Sequence, residues 1–239
     1  MARARLTRSE LKAQDEITTT LQGFGEAALA RKNELMIAGA IVLVLVLAFF
    51  GWRYYSRSQS AAAQLELGAV IAAFQNPAAK SDTERFEKTI VEAQKALAGN
   101  PSAPTAPVAR YYLALAKDGM GDRNGAVNDL EEAISRADAD TKAIAQFALA
   151  GIYKKHAEFP KAIDVLKQLE QSGGYSKSAV QFELGVASEG ANLKDQAQTS
   201  YSKVITDSPD SPFRGDAEAA LKRLGFPVPI PAPPAPAAK

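Results

Sequence analysis

The residues that could do chemistry are few and stand apart. His156 is the only histidine. A histidine base or metal ligand needs partners that orient its ring, and "KKHAEF" at 154–159 reads instead as a solvated turn between two helices. "GFGEAA" at 23–28 satisfies G-x-G-x-x-A. A dinucleotide site also needs an acidic residue about twenty positions on to hold the ribose. Positions 43–52 contain none, and no strand–helix alternation follows. Asp138 and Asp140 have the spacing of a calcium loop, but the turn glycine is missing and position twelve would be Leu149, where the final Glu belongs. Glu131-Glu132 lies on a polar helix face, where solvation is the default. There is no G-x-S-x-G elbow to activate a serine. With no cysteine, thiol nucleophiles, thiolate zinc sites, disulfides and a lipidated cysteine anchor all drop out. Net charge is +1, and no basic stripe with interleaved aromatics invites nucleic acid. The reading is of a non-enzyme, without cofactor, metal or small-molecule substrate.

The elements that would have to position any site are helical. Alanine is abundant, and it loses no side-chain entropy in a helix. Three segments align: "ARYYLALAKDGMGDRNGAVNDLEEAI" at 109–134, "AQFALAGIYKKHAEFPKAIDVLKQLE" at 145–170 and "VQFELGVASEGANLKDQAQTSYSKVI" at 180–205. Leu113-Ala114, Leu149-Ala150 and Leu184-Gly185 share one position pair, so the periods are 36 and 35 residues. Thirteen residues after each Leu stands Ala126, Ala162 or Ala197, and four further on Leu130, Leu166 or Tyr201. Small residues let two helices approach and large ones fill the hole left over. No such unit buries its own apolar face, so the units must stack.

A weaker unit lies upstream. "SAAAQLELGAVIAAFQ" at 60–75 is followed by "SDTERFEKTIVEAQKALAGNP" at 81–101. The second part opens with Ser81 and Glu84 in capping-box spacing and stops at Gly99 and Pro101. "SPFRGDAEAALKRLG" at 211–225 reads as a capping helix. "PVPIPAPPAPAAK", 227–239, predicts an extended, solvated polyproline-type tail.

Ahead of all this, Leu35 to Trp52 runs eighteen residues without a charge. As a helix that is roughly 27 Å, close to the thickness of a bilayer's hydrocarbon core. Trp52, Tyr54 and Tyr55 gather at one end, as interfacial rings do. Strands are a third of this length. The small-residue stretch "SAAAQ" at 60–64 lies beyond Arg53 and Arg57, too far on for a signal-peptide cleavage site. The reading is a retained transmembrane helix. Arg3, Arg5, Arg8, Lys12, Arg31 and Lys32 precede it, against Arg53 and Arg57 just after, which predicts a cytoplasmic N-terminus. Leu11, Ile17, Leu21 and Phe24 give the leading segment loose helical spacing.

The repeat pattern resembles the tetratricopeptide repeat, whose Leu-Gly, Tyr, Ala, bulky residue and Pro fall at these offsets. Tyr153 matches its Tyr and Pro209 its Pro, while Lys117 and Ser188 depart from it and its Trp is missing. The whole layout resembles the bacterial inner-membrane family of ancillary Sec-translocon subunits. That resemblance implies an all-α fold: a polar segment at 1–33, a single transmembrane helix at 34–55, a repeat domain at 56–226 and the tail at 227–239. The domain would hold three clear repeats, one degenerate repeat and a capping helix. It would be periplasmic and would serve protein–protein interaction at the translocon or with a periplasmic chaperone or foldase. Division-coordination and cytochrome-assembly factors share the span-plus-repeat layout, so a structural organiser of the envelope is the alternative.

In such solenoids the first helix of each repeat lines the concave face. That places Tyr111, Phe147 and Phe182 as a three-rung ladder, with Leu115, Gly151 and Val186 beside it and Lys154 and Lys155 a turn away, ready for a partner's carboxylate. The competing expectation is that these rings pack between repeats or beneath the capping helix.

Overall fold

The computed structural model describes residues 45–49 and 61–230, and the chain divides into two compact units, Met1–Ser58 and Gln59–Lys239. Of the first unit only 45–49 is described: it is helical, and its apolar side chains are exposed. Among the described residues no helix is long and apolar enough to cross a membrane. The expected span at 34–55 and the segment 1–33 otherwise lie outside them.

The second unit is a stack of helices, with no strand among the described residues. These are α1 (61–74), α2 (Asp82–Gly99), α3 (Ala106–Gly119), α4 (Arg123–Arg136), α5 (Ala139–Lys155), α6 (Phe159–Ser172), α7 (Lys177–Gly190), α8 (Lys194–Asp207) and α9 (Arg214–Leu224). The degenerate repeat is α1–α2; the three clear ones are α3–α4, α5–α6 and α7–α8. Polar side chains start the helices by accepting an otherwise orphaned backbone N–H. Ser81 accepts from Glu84, Asp122 from Gly125, Asp138 from Thr141 and Ser176 from Ala179. Pro107 and Pro160 occupy first turns, where no N–H is missed.

Helices α3, α5, α7 and α9 end in the same backbone turn. Asp122 N–H donates to Lys117 O, Glu158 to Tyr153 O, Leu193 to Ser188 O and Phe226 to Leu221 O. The residue before each donor has positive φ: Gly121 at 86°, Ala157 at 57°, Asn192 at 60° and Gly225 at 83°. This is the Schellman ending. Its recurrence at Gly225 makes α9 the counterpart of the leading helices before it. Ala157 is the one turn residue of the four that carries an apolar β-carbon into a left-handed conformation. Ala157→Gly is therefore expected to stabilise the domain by about 1 kcal/mol, raising Tm by a few degrees in a thermal melt. A lower Tm would show that the turn is not strained.

The small-and-large pattern is the core itself. Ala126, Ala162 and Ala197 are fully buried, as are Leu130, Leu166 and Tyr201. In the third repeat a β-carbon at Gly185 would fall 2.5 Å from the Tyr201 ring. The repeat with the large ring is thus the one with glycine where the others have Ala114 and Ala150. A second pairing fixes the seams. Phe86 of α2 sits over Gly119, and Phe159 of α6 over Gly190; at the corresponding places of the middle seam the chain has Arg123 and Lys155, with no ring to seat.

Successive leading helices (α3 with α5, α5 with α7) touch, while successive trailing helices stand further apart, so the stack curves with its leading helices on the hollow side. At the C-terminal end Phe226 and Val228 pack against the last core cluster. Packing therefore runs past the expected boundary at residue 226. The rest of the expected tail, from 231, lies outside the described residues.

Candidate functional site

The structure brings four of the eight sequence-predicted residues together. Tyr111 and Leu115 of α3 face Phe147 and Gly151 of α5 across a hollow of roughly 330 Å³, also lined by Ile144 and Tyr175. The helical period explains the grouping: 111 and 115 share a face of α3, as 144, 147 and 151 share one of α5. Ile144 is 45% exposed, and among the described residues nothing stands within 4 Å of where a Gly151 β-carbon would be. Phe147 stacks on Tyr175 with centroids 4.4 Å apart and planes 22° from parallel, and Tyr111 meets Tyr112 edge-on at 5.2 Å. Burial raises the Tyr111 pKa, assisted by the neighbouring Tyr112 and Tyr175.

Phe182 and Val186 go elsewhere. Phe182 stacks on Phe213 at 5.3 Å, and both residues pack against the cluster that holds α8 and α9. Here the ring does lie against the final helix, and the ladder has two rungs plus Tyr175 rather than three. Phe182 and Val186 line a separate hollow of roughly 510 Å³ with Phe159, Glu189, Ala219 and Arg223. Sequence reasoning misses Tyr175 because it sits in the "GGYS" link, where no repeat register reaches it.

Lys154 and Lys155 meet carboxylates of this chain rather than standing free for a partner's. Lys154 pairs with Glu183 of the next repeat. Lys155 reaches Asp118 of the preceding one at 2.8 Å, with His156 Nε2 at 3.2 Å from the same carboxylate. Such half-exposed pairs contribute little stability, but they leave the rim without net charge. Behind the second hollow Tyr201 Oη donates to Glu189 Oε2 at 3.0 Å, and Arg223 donates to the same oxygen at 2.8 Å. Burial, then the Glu189 hydrogen bond and charge, push the Tyr201 pKa upward. Free tyrosine titrates near pH ~10. The neutral phenol's contribution is therefore intact below that pH and is lost above it, as the unfolded chain gives up a proton that the fold retains. In an alkaline titration followed by phenolate absorbance, Tyr201→Phe should remove the latest-ionising tyrosine. Removal of an early one would contradict this environment.

No three His, Cys, Asp or Glu side chains among the described residues are placed to hold a metal ion. The site is an apolar, aromatic-lined trough between two helices, suited to receiving side chains of another polypeptide segment.

No curated protein matches this chain. Among solved structures it is similar to the nearly identical TPR-like repeats of a kinesin light chain-like protein from Podosopora anserina. The TM-score is 0.51 at 17% identity, covering 70% of this chain and 84% of that one. A singly substituted form of the same protein gives 0.50 at 18% identity, with the same shares covered. At such identity the likeness is one of fold. Residues 30–224 match the family profile described as a tetratricopeptide repeat-like domain. With four-fifths of its length inside that match and the repeat turns recurring at 121, 157, 192 and 225, the chain belongs to the tetratricopeptide repeat-like domain family.

Proposed function

We propose that this protein is a membrane-anchored interaction module whose trough between α3 and α5 receives an apolar segment of a partner polypeptide, and that it works as an accessory factor at the protein translocon or with periplasmic chaperones. The observation that carries the reading is the open trough of Tyr111, Leu115, Phe147 and Gly151 on the hollow side. Families of this repeat are typically non-catalytic scaffolds for protein–protein contact. Anchoring through 34–55 is supported by the uncharged run itself and by the family match, which begins at residue 30, ahead of that run. The excess of basic residues before the run supports a cytoplasmic N-terminus and a periplasmic repeat domain of the bacterial inner membrane.

The test is a photo-crosslinker at position 147 of the full chain in native membranes, with crosslinked products identified by mass spectrometry after an alkaline wash. The expected result is a protein retained in the membrane pellet and joined to a second polypeptide of the translocon or its chaperones. Retention with self-products alone would favour an envelope organiser. Release by the wash would end the anchoring proposal.

A further inference from the structure

We propose that the trough is occupied in the resting protein by the chain's own proline-rich tail, residues 229–239, laid across the leading helices as a polyproline II strand that a partner must displace. This rests on the reading of the trough as a polypeptide site and names its resident occupant.

Three observations converge. The first is chemical. Proline-rich segments dock on aromatic-lined grooves because their conformation is already set and costs little further entropy. Here the lining offers Tyr111, Phe147 and Tyr175, and the tail reads "PIPAPPAPAAK" from 229.

The second is charge. Among the described residues, Asp118 is the one charged residue lining the trough, and it is taken by Lys155 and His156. Lys154 is taken by Glu183. A trough whose rim is neutralised from within its own chain suits an uncharged strand. Residues 229–238 carry no charged side chain. The leading segment 1–33, the other in-chain candidate, carries ten charged side chains and no proline.

The third is reach. The described chain leaves α9 with Phe226 and Val228 still packed and with Ile230 90% exposed, an apolar side chain standing open to solvent. α9 borders α7 across the second hollow. From there α5 and α3 follow at helix spacings of about 8–10 Å, so the path from α9 to α3 is roughly 25–30 Å. Ten steps of polyproline II at about 3.1 Å each cover roughly 31 Å. The strand would pass Phe182 and Val186 first and reach Phe147 and Gly151 near its end.

Tethering makes the tail an intramolecular competitor at an effective concentration on the order of millimolar, so weakly binding segments from elsewhere would be excluded. The test uses the full chain in mild detergent with benzoylphenylalanine at position 147. Expected are crosslinks from 147 to the tail of the same chain, with a yield unaffected by dilution. Replacing Pro231, Pro233, Pro234 and Pro236 by glycine should lower that yield about fivefold or more, because the strand loses its preset conformation. Crosslinks between differently labelled copies, or only to local neighbours, would overturn the proposal. A chain ending at Pro229 separates this from the parent reading. If foreign polypeptide is captured at 147 equally with and without the tail, the tail proposal fails and the trough stands. Capture of neither tail nor foreign polypeptide would sink both.

Discussion

Tyr201→Ala is expected to cost the domain about 3–5 kcal/mol, the range for removing a fully buried aromatic ring. The ring is 1% exposed in the cluster that joins α8 to α9, and its hydroxyl holds Glu189. The loss should be local, because each unit of a solenoid contacts only its neighbours. Hydrogen exchange should accelerate across α7–α9 and leave α3–α5 nearly unchanged. The sharper experiment couples Tyr201 to Gly185. Gly185→Ala alone drives a methyl into the ring and should destabilise by about 1–3 kcal/mol, less whatever the better helix former returns. Tyr201→Leu alone leaves a void above the glycine. The double variant rebuilds what the chain already uses twice, Ala114 with Leu130 and Ala150 with Leu166. It should recover about 1–2 kcal/mol relative to the sum of the single changes, read by denaturant midpoints. Simple additivity would mean that the 2.5 Å approach is relieved by a shift of the helices and constrains nothing.

That pairing shows how far the sequence alone could go. Leu-Ala or Leu-Gly followed by Ala thirteen residues later sets the register, and the structure buries all of those alanines, because close approach of two helices tolerates only small side chains there. The turns are half legible. "GDRNG" announces itself by glycine, but Ala157 and Asn192 adopt the same left-handed conformation without a glycine to signal it. Packing of the leading helix onto the next unit overrides the local preference. α9 reads as a cap because a proline-rich stretch follows it in the sequence, although its final turn repeats the others. In the trough, Tyr111, Leu115, Phe147 and Gly151 follow from helical period and register. Phe182 occupies the same register yet packs against Phe213, because the segment leading into α9 brings that ring against α7. The lysines read as free because sequence spacing does not place Asp118 or Glu183, each contributed by a neighbouring repeat, next to them.

Gly151→Trp is expected to leave the fold intact and to abolish partner capture. Of the four glycines in α3, α5 and α7, three admit something of this chain: Gly119 the Phe86 ring, Gly185 the Tyr201 ring and Gly190 the Phe159 ring. Gly151 admits nothing among the described residues. A glycine inside a helix costs about 0.5–1 kcal/mol relative to alanine, and here the described structure returns no packing for it. Its space opens into the trough, beside Phe147 and Leu115. Alanine at 151 should therefore raise Tm by a few degrees, since helix propensity improves and no neighbour is met. Tryptophan should fold with a Tm near that of the parent while filling the dimple. If a partner's side chain sits there, affinity should fall by about tenfold or more, the equivalent of at least ~1.4 kcal/mol. Co-purification of partners with the full chain from native membranes reads this directly. The two variants together separate stability from recognition: a Trp variant that melts normally and still retains its partners would place recognition on another surface. Loss of partners in the Trp variant alone, with the Ala variant more stable and only modestly weaker in binding, would assign the glycine to the partner rather than to the fold.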